Sequence, residues 1–150
     1  MELYRICSAV HSKTLTSSGV PNRWNKKGEY VIYTAESRSL ATLEMIVHRN
    51  SIKSESSYKV LTISVIESNN LINEIVYIDL PKSWRSFETY SKLQQIGSEW
   101  YNSNASLLLK IPSAIIPKEF NYVINSQHPD FKKKVSLVES EDYFWDERLL

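Results

Sequence analysis

The sequence predicts one α+β domain, residues 1–150, built on a mixed and largely antiparallel sheet. Three observations lead there. Strand-like segments outnumber helical ones, the two kinds do not alternate in the β-α-β-α order of a doubly wound sheet, and only two stretches carry apolar residues at helical spacing. A chain of 150 residues also suits a single core.

Leu3–Cys7 is a short apolar run and reads as the first strand. His11–Glu29 is a long polar connection containing Gly19, Pro21 and Gly28, and connections of that length usually have a function. Tyr30–Thr34 (YVIYT) has the aromatic and β-branched content of a second strand. Thr34 or Ser37 can cap a following helix that runs to about Arg49, with Leu40, Leu43 and Val47 as its core-facing stripe. Glu44 then falls at the margin of that stripe, where a carboxylate must be paired, solvated through a cleft or raised in pKa.

Tyr58–Ile66 alternates, with Leu61, Ile63 and Val65 on one face, and Glu74–Asp79 (EIVYID) is a further strand candidate. After Pro81, the stretch Phe87–Trp100 places Tyr90, Leu93, Ile96 and Trp100 at helical spacing, and Gly97 weakens its last turn. Leu107–Ile111, Ala114–Ile116, Asn121–Asn125 and Val135–Val138 are short apolar strands and bends divided by Pro112, Pro117 and Pro129.

Composition excludes several classes of function. Eighteen basic and 17 acidic residues leave a net charge of +1, so no overall field favours nucleic acid or an anionic membrane. Lys132–Lys134 reads as a solvated turn. A single cysteine, Cys7, rules out an internal disulfide and any multi-thiolate cluster, and His11, His48 and His128 lack ligand spacing. A metal-free, cytoplasmic protein is expected. With three glycines and no glycine-rich phosphate loop, a nucleotide would have to be held by arginines, and Arg5 and Arg23 are placed for it. For an arbitrary arginine, pairing with a surface carboxylate is the commoner fate. Tyr33 ends its strand near the helix start, where it either packs or faces a pocket. Ser113, fixed between Pro112 and Ala114, has no nucleophile elbow around it and reads as a hydrogen-bonding group. His128 with Pro129 reads as a turn.

Taken in order, Tyr4-Arg5, Arg23-Trp24-Asn25, Gly28, VIYTAES (31–37), LATLEMIVH (40–48), IPSAIIP (111–117), NYVIN (121–125) and HPDF (128–131) resemble the RES domain. That family is named for its arginine, glutamate and serine, and its members are typically toxins of Xre–RES toxin–antitoxin pairs. The resemblance covers nearly the whole chain. It implies an ADP-ribosyltransferase-like fold, a split mixed sheet with flanking helices, and an activity that consumes NAD. It further implies that Arg23, Tyr33, Glu44 and Ser113 are the polar active-site set, that Arg5 is an additional basic member, and that a cognate Xre-type antitoxin covers the cleft. Two positions depart from the pattern: Asn22 where a glycine often precedes Arg-Trp-Asn, and Ser126 where a proline often follows NYVIN. A non-catalytic protein-binding module and an RNA-cutting toxin are the competing readings.

Overall fold

The structure, a computed structural model, describes residues 1–48 and 57–149. Seven strands form one mixed sheet: β1 Glu2–Ser8, β2 Val31–Ala35, β3 Tyr58–Val65, β4 Ile72–Glu74, β5 Leu108–Pro112, β6 Phe120–Asn125 and β7 Val135–Asp142. Their order is β4-β5-β6-β2-β1-β3-β7, and every neighbouring pair is antiparallel except β4 with β5. Among the described residues three α-helices accompany them: α1 Arg38–Val47, α2 Tyr90–Ser103 and the single turn α3 Phe131–Lys134. The predicted α+β class and the excess of strands over helices both hold.

The sheet is one ladder in name but two in mechanics. β1 pairs with β3 through seven residue pairs and β2 with β6 through five, whereas β1 and β2 meet only at Tyr4 and Ala35. This single rung is the split that the family resemblance implied. It follows that the β1–β2 ladder joins the two halves of the sheet through one residue pair, while the core on one face runs across both.

Strand alternation sorts the core into three clusters. Leu3, Cys7, Ile32, Leu61, Ile63, Leu108 and Ile124 share one face of the whole sheet, covered by Leu15, Leu71 and Phe131. On the other face, Val31, Leu109, Ile111 and Val123 pack with Trp24 and with Leu93 and Trp100 of α2. Beyond the seam, Ile6, Ala35 and Val60 pack with Leu40 and Ala41 of α1, closed over by Tyr143 and Trp145 of the tail after β7. Two helix-topped clusters thus stand side by side on one face with a trough between them.

Ser37 is the residue that caps α1, its hydroxyl accepting from Leu40 N at 3.1 Å. Thr34 is committed elsewhere, donating to the Tyr122 carbonyl inside the sheet. The helix ends at Val47 with His48 as its C-cap, and Arg49, its expected end, lies outside the described residues. The predicted stripe needs correction. Leu40, Ala41 and Met45 face the core while Val47 is 57% exposed, because Ala41 and Met45 rather than Leu43 and Val47 flank Leu40 on the buried side. Glu44 therefore sits in the middle of the inward face and not at its margin.

Glu74–Asp79 also departs from expectation. The strand is Ile72–Glu74, after which the Ile75 amide still reaches the Lys110 carbonyl and the chain curls into a 3-10 turn at Tyr77–Asp79. That turn delivers Leu80 and Trp84 to the core and leaves Ile78 89% exposed. Phe87–Thr89 is likewise a 3-10 turn leading into α2, and Lys132–Lys134 belong to α3 and not to a plain turn. His128 does build a turn, its Nδ1 accepting from Asp130 N at 3.1 Å.

Gly97 is more than a weak point in α2. A Cβ on it would lie 1.7 Å from the carbonyl oxygen of Trp24, so the absence of a side chain is what lets the 12–29 connection lie on the helix. Gly97→Ala forces the two apart, and overpacking of this kind costs about 1–3 kcal/mol. The expected result is a lowered urea midpoint with an unchanged m value.

The candidate active site

The trough between α1 and α2 opens into a cavity of about 420 Å³, within the range that holds a small ligand or part of a cofactor. Arg5, Arg23, Tyr33 and Glu44 all border it, together with Tyr4, Asn121, Arg85, Tyr90 and His48. Four of the five residues predicted for the site therefore share one cavity. Ser113 lies behind its wall.

Glu44 is the one carboxylate among the residues bordering this cavity. Its Oε1 accepts from Asn121 Nδ2 at 2.6 Å and more weakly from Ser113 Oγ at 3.5 Å. Asn121 reaches it from β6, and its own Oδ1 is buried without a partner among the described residues. With Nδ2 toward Glu44, the amide presents a donor to an anionic oxygen and fixes its orientation. Ser113 is fully buried, and its oxygen also accepts from the amides of Ile115 and Ile116 at 3.1 Å each. It pins the 113–116 turn against the helix acid, and it touches the cavity only through Glu44.

Arg23 is held without a carboxylate. Its Nη1 donates to the carbonyls of Trp84 and Arg85, both at 3.1 Å, and its guanidinium lies over the Tyr90 ring, 4.7 Å from the centroid. Arg5 donates to the Thr16 carbonyl at 3.1 Å, and burial depresses its pKa below the usual arginine range. Neither takes part in an ion pair among the described residues. The two reach the cavity differently. Arg23 comes from the connection above the sheet, whereas Arg5 alternates with Tyr4 and Ile6 on β1 and borders the cavity at the seam beside the lone Tyr4–Ala35 rung.

Tyr33 serves the cavity with its ring and the connection with its hydroxyl. The phenol donates to Asn25 Oδ1 at 2.8 Å and accepts from Trp24 N at 3.1 Å, and burial raises its pKa well above the ordinary tyrosine value. Asn25, itself buried, spends its amide on the carbonyls of Val20, Lys26 and Glu29. Glu29 is buried too, accepting from Lys26 N at 2.7 Å and from Ser98 Oγ on α2. These bonds order a segment that has no helix or strand of its own.

The departures from the family pattern are accommodated. Asn22 Oδ1 accepts from Arg23 N at 2.8 Å, and its carbonyl accepts from Gln94 of α2 at 2.8 Å. Ser126 gives both its amide and its hydroxyl to the Tyr30 carbonyl, at 3.1 and 2.7 Å, a pair of donors that proline lacks. Sequence reading missed Asn121, Arg85, Tyr90 and the placement of His48. The NYVIN motif contained the first, but nothing in its spacing pointed a side chain at Glu44.

No group of three or more His, Cys, Asp or Glu among the described residues could hold a metal ion, and no helix among them is long and apolar enough to cross a membrane. The chain is 35% identical over 153 residues to a protein named Toxin Res from Yersinia enterocolitica, covering 99% of each. It is 33% identical to a Prs ADP-ribosylating toxin from Sphingobium sp., over 85% of this chain and 80% of that one. A crystal structure of the M. tuberculosis MbcT–MbcA toxin–antitoxin complex contains a chain with the same fold, with a TM-score of 0.74 at 21% identity over 95% of this chain and 83% of that one. The RES domain model matches residues 2–146, and the chain, with its split sheet and its inward-facing glutamate, belongs to the RES domain family.

Proposed function

We propose that this protein is the toxin of a toxin–antitoxin pair and that it consumes NAD by cleaving the nicotinamide–ribose bond. The observation that carries the reading is one cavity that holds a single oriented carboxylate together with guanidinium groups that lack a carboxylate of their own. A cation partly withdrawn from water and satisfied only by neutral carbonyls keeps its attraction for an incoming anion. The relatives named as toxins, one of them as ADP-ribosylating, support the same reading.

Breaking the nicotinamide–ribose bond releases a neutral base and builds positive, oxocarbenium-like charge on the sugar. A negative group beside that sugar lowers the barrier. Glu44 is assigned this role, with its free Oε2 directed to the ribose and its Oε1 held by Asn121. Arg23 grips the diphosphate and Arg5 adds positive potential from the seam, so binding energy far from the reacting bond serves to place it. The Tyr33 ring walls the nicotinamide. Ser113 is a positioning residue for Glu44. The acceptor of the ADP-ribosyl group is water, inorganic phosphate or a protein side chain, which makes the enzyme a glycohydrolase, a phosphorylase or a transferase. An antitoxin of Xre type is the proposed silencing partner.

Purified protein incubated with NAD is expected to release nicotinamide, a result that neither a binding module nor a nuclease gives. Running the assay with and without phosphate, and with mass spectrometry of added cell protein, identifies the acceptor. Glu44→Gln keeps shape and deletes charge, so nicotinamide release should vanish while the circular dichroism and melting curve stay as in the parent. Full turnover in that variant refutes the assignment. Asn121→Ala removes the 2.6 Å donor, and a loosened carboxylate is expected to lower kcat by about 100-fold. KM for NAD should change little, and an unchanged kcat would remove Asn121 from the mechanism.

A further inference from the structure

One charged group at the cavity has no task in that scheme. Arg85 is exposed and borders the cavity, in the segment that joins the Tyr77–Asp79 turn to α2. Its guanidinium carbon lies 4.6 Å from the Trp84 ring centroid and 5.8 Å from that of Tyr77. Among the described residues its side chain has no ion pair, so no carboxylate competes with a ligand for it. The aromatic stacking keeps it extended and limits the freedom it must lose on meeting a ligand.

Arg85 is also tied to Arg23. The Nη1 of Arg23 is shared between the carbonyls of Trp84 and Arg85, so the segment carrying one guanidinium is anchored by the other. The two side chains border the same cavity, and each rests on its own aromatic, Arg23 on Tyr90 and Arg85 on Trp84. Two planar guanidinium groups that border one cavity, each stacked on an aromatic ring, supply the donors that phosphoryl oxygens take. Arg5, coming from the strand at the seam, is not stacked beside them.

We infer that Arg85 is a ligand-binding residue and forms with Arg23 a two-arginine clamp for a diphosphate at the mouth of the cavity. The nucleotide identity of that diphosphate rests on the NAD reading; the anion site does not. The simpler alternative, that Arg85 merely covers the Trp84 ring, predicts no loss of probe binding and no rise in KM in Arg85→Ala.

Inorganic pyrophosphate and ADP are titrated calorimetrically at low salt into the parent protein, Arg85→Ala, Arg85→Lys and, as a control basic residue that does not border the cavity, Lys82→Ala. Loss of one charge-assisted contact should weaken both probes about tenfold in Arg85→Ala. Arg85→Lys should recover part of that, since charge without the planar fork is a poorer match. Lys82→Ala should bind as the parent does. In the NAD assay, KM should rise by a similar factor in Arg85→Ala with kcat within about twofold of the parent. A parent protein that binds neither probe in the millimolar range, or an Arg85→Ala protein that binds both as tightly as the parent, overturns the clamp. Arg85-dependent pyrophosphate binding without nicotinamide release leaves the clamp standing and sinks the NAD reading. Nicotinamide release that is indifferent to Arg85 does the reverse.

Discussion

The site depends on one hydroxyl. Tyr33 projects from β2 into the trough, and its phenol is the point at which the 12–29 connection is fastened to the sheet, through Trp24 N and Asn25 Oδ1. That fastening fixes the residues just after Arg23, which have no regular pairing beyond the small bridge between Asn22 and Asn25, while Gln94 and the Trp84 and Arg85 carbonyls hold Asn22 and the guanidinium. The rest of the connection is organised around the same point. Asn25 gathers three carbonyls, Glu29 ties the end of the segment to Ser98 of α2, and the Trp24 carbonyl settles on the bare face of Gly97. The bonds of Asn25 and Glu29 are buried or partly buried, and a buried polar group left unmatched costs about 1–3 kcal/mol, whereas the Trp24–Gly97 contact is close packing. The loop is therefore over-determined, and a guanidinium can be held facing a cavity on a segment that has no secondary structure.

The sheet provides the complementary constraint. A fully paired β1–β2 ladder would close the trough, and an unpaired one would let the halves drift. The single rung between Tyr4 and Ala35 sits between those limits. It keeps the helices α1 and α2 on one face while leaving room between them for side chains from both halves. Glu44 comes from the β1–β3 side and Arg23, Arg85 and Tyr90 from the α2 side, so the cavity is an interface between two small cores and not a hole within one. Pockets commonly form at such interfaces.

How far this was legible in the sequence follows from the kind of signal each feature leaves. The strands β1, β2, β3, β5 and β6 and the helices α1 and α2 were readable because alternation and helical spacing are local and periodic. A cap at Thr34 or Ser37 was readable from residue type, and the structure selects Ser37. Tyr77–Asp79 was misread because its β-branched and aromatic content matches a strand, while the tertiary demand to bury Leu80 and Trp84 bends it. Gly97 looked like a weakness since nothing in α2 announces that Trp24, 73 positions earlier, presses its carbonyl there. Ser113 was recognisable as a polar residue of the site, but its burial behind Glu44 is a matter of how the 113–116 turn folds back, and no spacing records that. Asn121 and Arg85 left no signal at all, because a single polar residue beside an apolar run is ordinary until its neighbours in space are known.

Charge is what favours the proposed catalytic reading of the cavity over a structural or protein-binding one. In a binding module, arginines bordering a groove are commonly paired with carboxylates of the same chain until a partner displaces them, and a helix-borne glutamate is the natural local partner. Glu44 instead spends Oε1 on two neutral groups, Asn121 and Ser113, while Arg23 and Arg5 spend N–H groups on main-chain carbonyls. Opposite charges in one cavity are thus kept from neutralising each other by competing neutral partners. On the proposed reading, the use of that arrangement is to leave an anionic oxygen for a cationic sugar and cationic groups for an anionic tether, the pattern of charge that a departing nicotinamide requires.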